Sequence, residues 1–424
     1  MKALMIAAPS SGAGKTTVSR ALMALLTRRG YRVQPFKCGP DYIDTKFHEH
    51  VCHRASVNLD TFMATEQHVR ELFHRYSADA DIAIVEGMMG LYDGYDRDRG
   101  SSADIARALG LPVVLVVDAR SAAYSLAPLL RGFADFRPEV HLTGVLFNKV
   151  GSERHATMLR QVCQDVGLPC LGCLPKQTGA ETGCRYLGLD FSELTTDSHA
   201  DNLTALLERH ADIDSLLAMA TFDTGDTAPI LSPELRTNSL KPRTLVARND
   251  ESFTFLYREV LDQLGQVTFF DPETDVPDLS DTDLLYLPGG YPEKHAEALA
   301  RNEAARQAIA DYAGRGGRIQ AECGGMMYLC RDITTDEGRY PMCGVLPYSI
   351  TARREDRRLS LGYRRFGLDG REWRGHEFHY SQFLGDVPPS VCQVYDALGH
   401  PVATPVMRHK NVLASYTHLN AIIG

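Results

Sequence analysis

A chain of 424 residues, 44% hydrophobic and 23% charged, has the make-up of a globular protein with about two or three domains. No apolar run approaches the roughly 20 residues of a membrane span. A formal net charge of −9 argues against bulk nucleic-acid binding, and ten irregularly spaced cysteines do not form a secreted disulfide framework. The expected setting is the cytoplasm, with neither membrane nor nucleic acid as partner.

The first residues look like a signal peptide until Pro9 and a glycine-rich loop interrupt them, so residues 4–8 read as a buried strand. The loop Pro9-Ser10-Ser11-Gly12-Ala13-Gly14-Lys15-Thr16-Thr17 then opens a helix over residues 15–29. Gly12 and Gly14 let backbone N–H groups turn inward around phosphate oxygens. Lys15 adds a point charge, and Thr16 offers a hydroxyl to Mg²⁺, with Thr17 closing the motif. Pro9 replaces the usual first glycine, and Ser10 stands where partitioning ATPases carry lysine.

Residues 31–36 form a second strand, followed by Lys37-Cys38-Gly39-Pro40-Asp41-Tyr42-Ile43-Asp44. If a helical turn starts at Pro40, Asp41 and Asp44 share a face and could hold a cation or orient a substrate acid. Alternatively, Asp41 caps the turn. His48, His50, Cys52 and His53 resemble a metal cluster but fit no zinc spacing. A third strand, residues 81–85, ends in Glu86, placed to hold Mg²⁺, or else to serve as a cap or ion pair. Further strands are expected at 112–117 and 140–147. After the latter, Asn148 and Lys149 could read a nucleotide base or simply form a turn. The Cys170-Leu171-Gly172-Cys173 pair reads as ordinary thiols near a strand end. The alternation implies an α/β domain with a mostly parallel sheet, helices on both faces and boundaries 1–220.

Residues 221–242 are turn-rich and read as a linker, and residues 243–424 begin a fresh α/β pattern with strands at 244–247, 283–287 and 318–321. The strand at 283–287 runs into Pro288-Gly289-Gly290. The strand at 318–321 runs through Glu322-Cys323-Gly324-Gly325 into a helix, a sharp elbow that would expose Cys323 where the helix dipole favours thiolate. Gly289, Gly290 and the amide of Gly324 supply an oxyanion hole, and His418 supplies the base. After residue 339 the chain is strand-rich, at 362–367, 376–383 and 402–409. An arginine run from Arg353 to Arg365 could greet an acidic ligand, but reads better as a solvated loop balanced by Glu355 and Asp356.

Together the phosphate loop, the Gly-Pro-Asp-Tyr-Ile-Asp segment, the run Glu86-Gly87-Met88-Met89-Gly90-Leu91-Tyr92-Asp93, the cysteine elbow and Gly375-His376-Glu377-Phe378-His379-Tyr380-Ser381 resemble a class I glutamine amidotransferase fused to a dethiobiotin-synthetase-like ATPase. More narrowly, the pattern resembles the cobyrinate a,c-diamide synthase family over nearly the whole chain. The resemblance implies a ligase of cobalamin biosynthesis that uses ATP, Mg²⁺ and L-glutamine to amidate two carboxylates of a corrinoid. It assigns Cys323 as nucleophile and His418 as base. Thr16, Asp41 and Glu86 match metal positions, and Asp44 and Asp93 match acidic positions near substrate and phosphates. Oligomeric state stays open, with a homodimer admissible.

Ala321 replaces the first glycine of the family's elbow, Asn420 stands where the triad expects glutamate, and residues 178–189 match only in part. The same chemistry on hydrogenobyrinate or Ni-sirohydrochlorin is the alternative. Cobyric acid synthase is disfavoured by the Gly-Pro-Asp-Tyr-Ile-Asp segment. A partitioning or scaffold ATPase would explain the phosphate loop but not Ser10 or Cys323.

Overall fold

The computed structural model describes residues 1–176, 197–222, 242–249 and 251–423. Backbone contacts divide the chain into two compact units, Met1–Ser232 and Pro233–Gly424. Most of the turn-rich stretch expected as a linker (residues 223–241) and the partly matching stretch 178–189 lie outside the described residues.

Among the described residues, seven strands build the first unit: β1 (Lys2–Ala7), β2 (Val33–Cys38), β3 (Val57–Leu59), β4 (Ile82–Glu86), β5 (Val113–Asp118), β6 (Leu142–Val150) and β7 (Cys170–Pro175). They run in the order β3-β2-β4-β1-β5-β6-β7, each neighbouring pair parallel. The two-residue period of a strand divides β1 between two cores. Ala3, Met5 and Ala7 join Phe36, Val85 and Leu115, while Leu4 and Ile6 join Ile84, Val114 and Leu146. A sheet buried on both faces demands nearly continuous apolar strands, which makes β4 and β5 conspicuous in sequence. β1 lies where the strand order reverses, and ligands of such sheets bind beyond the strand carboxyl ends at that point. Helices α1 (Lys15–Arg28), α2 (Asp44–Cys52), α3 (Glu66–Ser77), α4 (Ser102–Leu109), α5 (Leu126–Asp135) and α6 (Glu153–Val166) connect these strands.

The second unit contains a six-stranded sheet with β8 (Arg243–Ala247), β9 (Gln266–Phe270), β10 (Leu284–Leu287) and β11 (Ile319–Glu322). β11 lies between β10 and strand Val412–Ser415, all three parallel, so their carboxyl ends stand side by side. Only the edge strand Val406–His409 runs antiparallel. In a separate sheet, Ser360–Leu368 pairs with Arg371–His379 along their full lengths, and His418–Leu419 adds to the latter.

The strand expected over 376–383 is broken in two, because the Ser381 carbonyl turns back to accept from His379 Nδ1 at 2.8 Å. The one expected over 402–409 is also interrupted, at Pro405, which has no N–H for a ladder. Among the described residues no helix is long and apolar enough to cross a membrane.

Candidate active sites

In the first unit the phosphate loop leaves β1 with Gly12 and Gly14 at φ 77° and 102°, backbone that side chains rarely adopt. Lys15 is buried in the first turn of α1, and its ammonium donates to the Met89 carbonyl. Asn148 and Lys149, at the end of β6, buttress this loop. Asn148 Nδ2 donates to Ala13 O at 3.0 Å, and Lys149 Nζ donates to Gly12 O and to Asp118, both at 2.9 Å. The Asn148 amide fills the space where a Gly14 side chain would stand, a contact of 2.2 Å for an added Cβ.

Beneath the loop, polar groups converge from the ends of β2 and β4 and from α1 and α2. Thr16 Oγ1 donates to Glu86 Oε1 at 2.7 Å and lies 3.3 Å from Asp44 Oδ2. Lys37 Nζ donates to Asp44 at 2.6 Å and Glu86 at 2.8 Å, with Asp41 3.9 Å away. His48 Nε2 meets the other Glu86 oxygen at 2.8 Å, and its Nδ1 meets Ser56 Oγ at 3.2 Å. Asp41 also accepts from the amides of Ile43 and Asp44, capping the entry to α2. Asp93 accepts from the Gly90 amide at 2.8 Å and acts electrostatically on Lys15.

Burial opposes the Lys37 charge, but Asp44, Glu86 and Asp41 outweigh it and hold the ammonium well above its ordinary range. Burial likewise opposes ionised Glu86, yet Lys37 and His48 keep it ionised, while burial and Asp41 push Asp44 upward. Burial, then Lys37, lowers Lys15. Among the described residues no three His, Cys, Asp or Glu side chains are arranged to hold a metal by themselves. Hydroxyl and carboxylate oxygens beside a phosphate loop nevertheless suit Mg²⁺, which is commonly held by one or two carboxylates plus substrate phosphates.

Lys37 and His48 carry no role in the sequence motifs, His48 being grouped there with an apparent metal cluster. Two signals point to them: Lys37 stands one residue before the end of a strand in the same sheet as Glu86, and His48 lies one helical turn after Asp44.

In the second unit the elbow is strained as expected, with Cys323 at φ 46° and ψ −107°. It is closed rather than open, however: the residue is 3% exposed, which corrects the expected exposure. Burial, then nearby Glu293, pushes the thiol well above its ordinary range, against which the Gly324 N–H donates to the sulfur.

The elbow needs small neighbours for a steric reason. A Cβ on Gly325 would lie 2.0 Å from Leu287 O, and one on Gly324 would lie 3.0 Å from Gly290 N. His418 enters from the adjacent strand end, its ring filling the space beside Gly289, where an added Cβ would meet Cε1 at 2.1 Å. Thus the Gly289–Gly290 turn is flanked by the His418 ring and by Gly324, the residue after the cysteine. Cys323 N donates to Ser415 O at 2.8 Å, fixing the elbow to the strand that leads to the histidine.

Pairing with His376 sets the register of His418, and Gly375 is required there because a Cβ would lie 2.1 Å from the His418 carbonyl. Burial, then His376 and His379, lowers the His418 imidazole to about 3, so it is neutral at pH 7. Glu377, which acts on His418 in the opposite sense, accepts from Arg364 at 2.7 Å and from Ser360 and Thr404, both at 2.6 Å. His379 bonds the same carboxylate at 2.8 Å and stacks on Tyr416, ring centroids 3.6 Å apart. Position 420 brings no carboxylate; Asn420 O accepts from Gln263 at 3.4 Å. Behind the elbow, burial raises Glu322 to about 8, while Gln320, Tyr286 and the Leu419 N–H donate to it. The arginine run is largely paired: Arg353 with Glu355 and Asp356, Arg354 with Asp336, and Arg364 with Glu377.

Comparison with known proteins covers both units. Residues 4–186 match the CobQ/CobB/MinD/ParA nucleotide binding domain, and residues 247–422 match the CobB/CobQ-like glutamine amidotransferase domain. The chain is 37% identical to the cobyrinate a,c-diamide synthase of Caldanaerobacter subterraneus subsp. tengcongensis, over 99% of this chain and 95% of that protein. It is 38% identical to the hydrogenobyrinate a,c-diamide synthase of Brucella abortus biovar 1, over 99% and 98%. Against the cobyrinate a,c-diamide synthase of Syntrophotalea carbinolica the figures are 39% identity over 98% and 94%.

Proposed function

The chain belongs to the cobyrinate and hydrogenobyrinate a,c-diamide synthase family, and from that premise we propose that it amidates the a and c carboxylates of cobyrinate in cobalamin biosynthesis. Each amide consumes one ATP and one glutamine. The observation that carries this reading is the meeting of an oxyanion turn, a strained cysteine and a neutral histidine just beyond the carboxyl ends of three neighbouring parallel strands, in a chain that also bears a phosphate loop. Sequence similarity extends equally to relatives named for hydrogenobyrinate, so that metal-free macrocycle is the second reading.

In the glutaminase half, Cys323 gives its proton to neutral His418 as the sulfur attacks the glutamine side-chain carbonyl. The N–H groups of the Gly289–Gly290 turn and of Gly324 receive the developing oxyanion. Protonated His418 returns the proton to the leaving nitrogen, releasing ammonia. Water then hydrolyses the thioester to glutamate.

In the synthetase half the substrate carboxylate takes the γ-phosphoryl group of ATP, giving an acyl phosphate and ADP. Ammonia then displaces phosphate to form the amide. Lys15 and the amides of the phosphate loop stabilise charge on the transferring group, and Lys37 lies close enough to the carboxylate cluster to share that work. Thr16 and Glu86, with Asp41 and Asp44 beside them, would hold Mg²⁺, which supplies charge neutralisation at the β- and γ-phosphates when bound. Asp93 keeps the Gly90 turn close to Lys15. A cytoplasmic location suits an enzyme fed by ATP and glutamine.

Mass spectrometry of products formed from each macrocycle with ATP, Mg²⁺ and glutamine tests the assignment. A diamide from cobyrinate is expected. Turnover of hydrogenobyrinate alone would transfer the assignment to the second reading. Cys323→Ala should abolish amidation with glutamine but leave it intact with high ammonium; loss with both nitrogen sources would overturn the division of labour.

A further inference from the structure

Three thiols meet at the edge of the first unit's sheet, apart from the phosphate loop. Two of them, Cys170 and Cys173, are spaced so that a regular strand would point them to opposite faces. β7 is not regular. Its register against β6 shifts after Cys170, so that Val145 pairs with Cys170 but Leu146 pairs with Gly172 and Phe147 with Cys173. The extra residue, Leu171, restores both cysteines to one face. The third thiol, Cys163, comes from the last turns of α6, whose C-terminal Gly167 at φ 74° turns the chain back toward β7.

The result is a row of thiols packed in one core cluster, with Cys170 between Cys163 and Cys173 and within hydrogen-bonding reach of both. Cys170 Sγ also donates to Gly172 O at 3.9 Å, and Cys173 Sγ to Ala156 O, on α6, at 4.0 Å. Cys163 and Cys173 are 1% and 6% exposed, whereas Cys170 is only partly buried and reachable from solvent. The Arg160 guanidinium, one turn before Cys163, favours negative charge on Cys170, and Glu153, paired with Arg160 at 2.9 Å, acts in the opposite sense on Cys173. The two neighbouring thiols, Cys163 first, draw the Cys170 thiol below its ordinary range and are themselves pushed above it. Of the three, Cys170 is thus both the accessible thiol and the one most easily deprotonated.

We propose that this trio is a thiol-oxidation site, in which Cys170 is modified by low-molecular-weight disulfides and then forms a disulfide with Cys163. The Cys170 thiolate attacks one sulfur of the reagent, forming a mixed disulfide and expelling one thiolate. Cys163 gives up its proton and attacks the Cys170 sulfur, expelling the second. Two protein S–H bonds are replaced by one S–S bond, and the reagent leaves as two thiols. The protein is oxidised by two electrons and the reagent is reduced by two. Cys173, bonded to Cys170 from the other side, holds it in place. Disulfides of this kind in a reducing compartment are transient and serve redox sensing rather than folding.

Oxidised glutathione is the probe, applied to the full chain after removal of reductant and quenched with an alkylating agent. Trypsin cutting after Arg160 and Lys176 releases all three cysteines in one peptide. That peptide should appear two hydrogens lighter, with one alkylated thiol, Cys173. Cleavage before Asp165 should leave its two parts joined through Cys163 and Cys170. At early times Cys170 should react at least about tenfold faster at pH 7 than the comparably accessible Cys392, whose thiol burial raises. In Cys163→Ser the reaction should stop at glutathione-bound Cys170. Three alkylated thiols in the wild-type peptide while Cys392 carries glutathione would overturn the proposal, as would a Cys170–Cys173 bond or oxidation of Cys163 in Cys170→Ser. The wild-type peptide decides the matter even if a variant fails to fold.

Discussion

Gly289 occupies a position where one methyl group would decide function. Its added Cβ would overlap the His418 ring, and neither the turn nor the paired strand behind the histidine has room to yield. Gly289→Ala should therefore lower glutamine-dependent activity by at least about a hundredfold, on the scale of losing one oxyanion donor. Stability should fall by about 1–3 kcal/mol, and ammonium-dependent activity should persist. Steady-state rates with the two nitrogen sources read the difference.

Folded Glu322 binds its proton up to about 8, against 4.5 for the unfolded chain, so the folded state holds the extra proton in between and stability falls as pH rises through that window. His418 acts oppositely, since its folded value of about 3 lies below 6.5 and stability falls as pH drops through that range. Glu377, lowered to about 2 by His379 and Arg364 against burial, contributes stability that is lost only below 4.5. Of these three groups, Glu322 alone changes between pH 6.5 and 8. Glu322→Gln should flatten the decline of unfolding free energy there, a slope of up to roughly 1.4 kcal/mol per pH unit read by chemical denaturation at a series of pH values.

Elements show how far the amino-acid order speaks for the architecture. Strands β4 and β5 and the loop–helix junction at Lys15 were legible, because two-sided burial writes an unbroken apolar run and a phosphate loop writes its glycines. β3 escaped notice with three residues and Asn58 at its centre, and β7 was hidden by Gly172, Pro175 and a bulge. The same bulge concealed the thiol trio, since pairing register is a tertiary fact. The cysteine elbow and the late histidine were visible by residue type, but the closure over Cys323 depends on Glu293, Tyr416 and neighbouring strands far off in sequence. Helix ends were set by local chemistry. Ser152 caps α6 by accepting from His155 N at 3.2 Å, and Ser152→Ala should lower stability by about 1 kcal/mol in chemical denaturation while leaving turnover unchanged.

At the scale of the whole molecule, two chemistries reside in two units and should be separable by single substitutions. Lys15→Ala should eliminate amidation with either nitrogen source while glutamine hydrolysis without ATP continues, the reverse of the pattern expected for Cys323→Ala. Assays of glutamate release and of amide formation on the same preparations make the comparison. Removal of divalent cations with a chelator should mimic Lys15→Ala, and restored Mg²⁺ should reverse it.

The crowding around Gly289, Gly325 and Gly375 also changes how a systematic mutational survey of this protein should be interpreted. Truncation to alanine ordinarily deletes atoms and asks what they contributed. At these three positions it inserts an atom into space already taken by an imidazole or a carbonyl. Their signals in such a survey would rank with those of the nucleophile itself, although these glycines contribute no reactive group, so a ranked list of sensitive sites would mix reagents with the mould that shapes them.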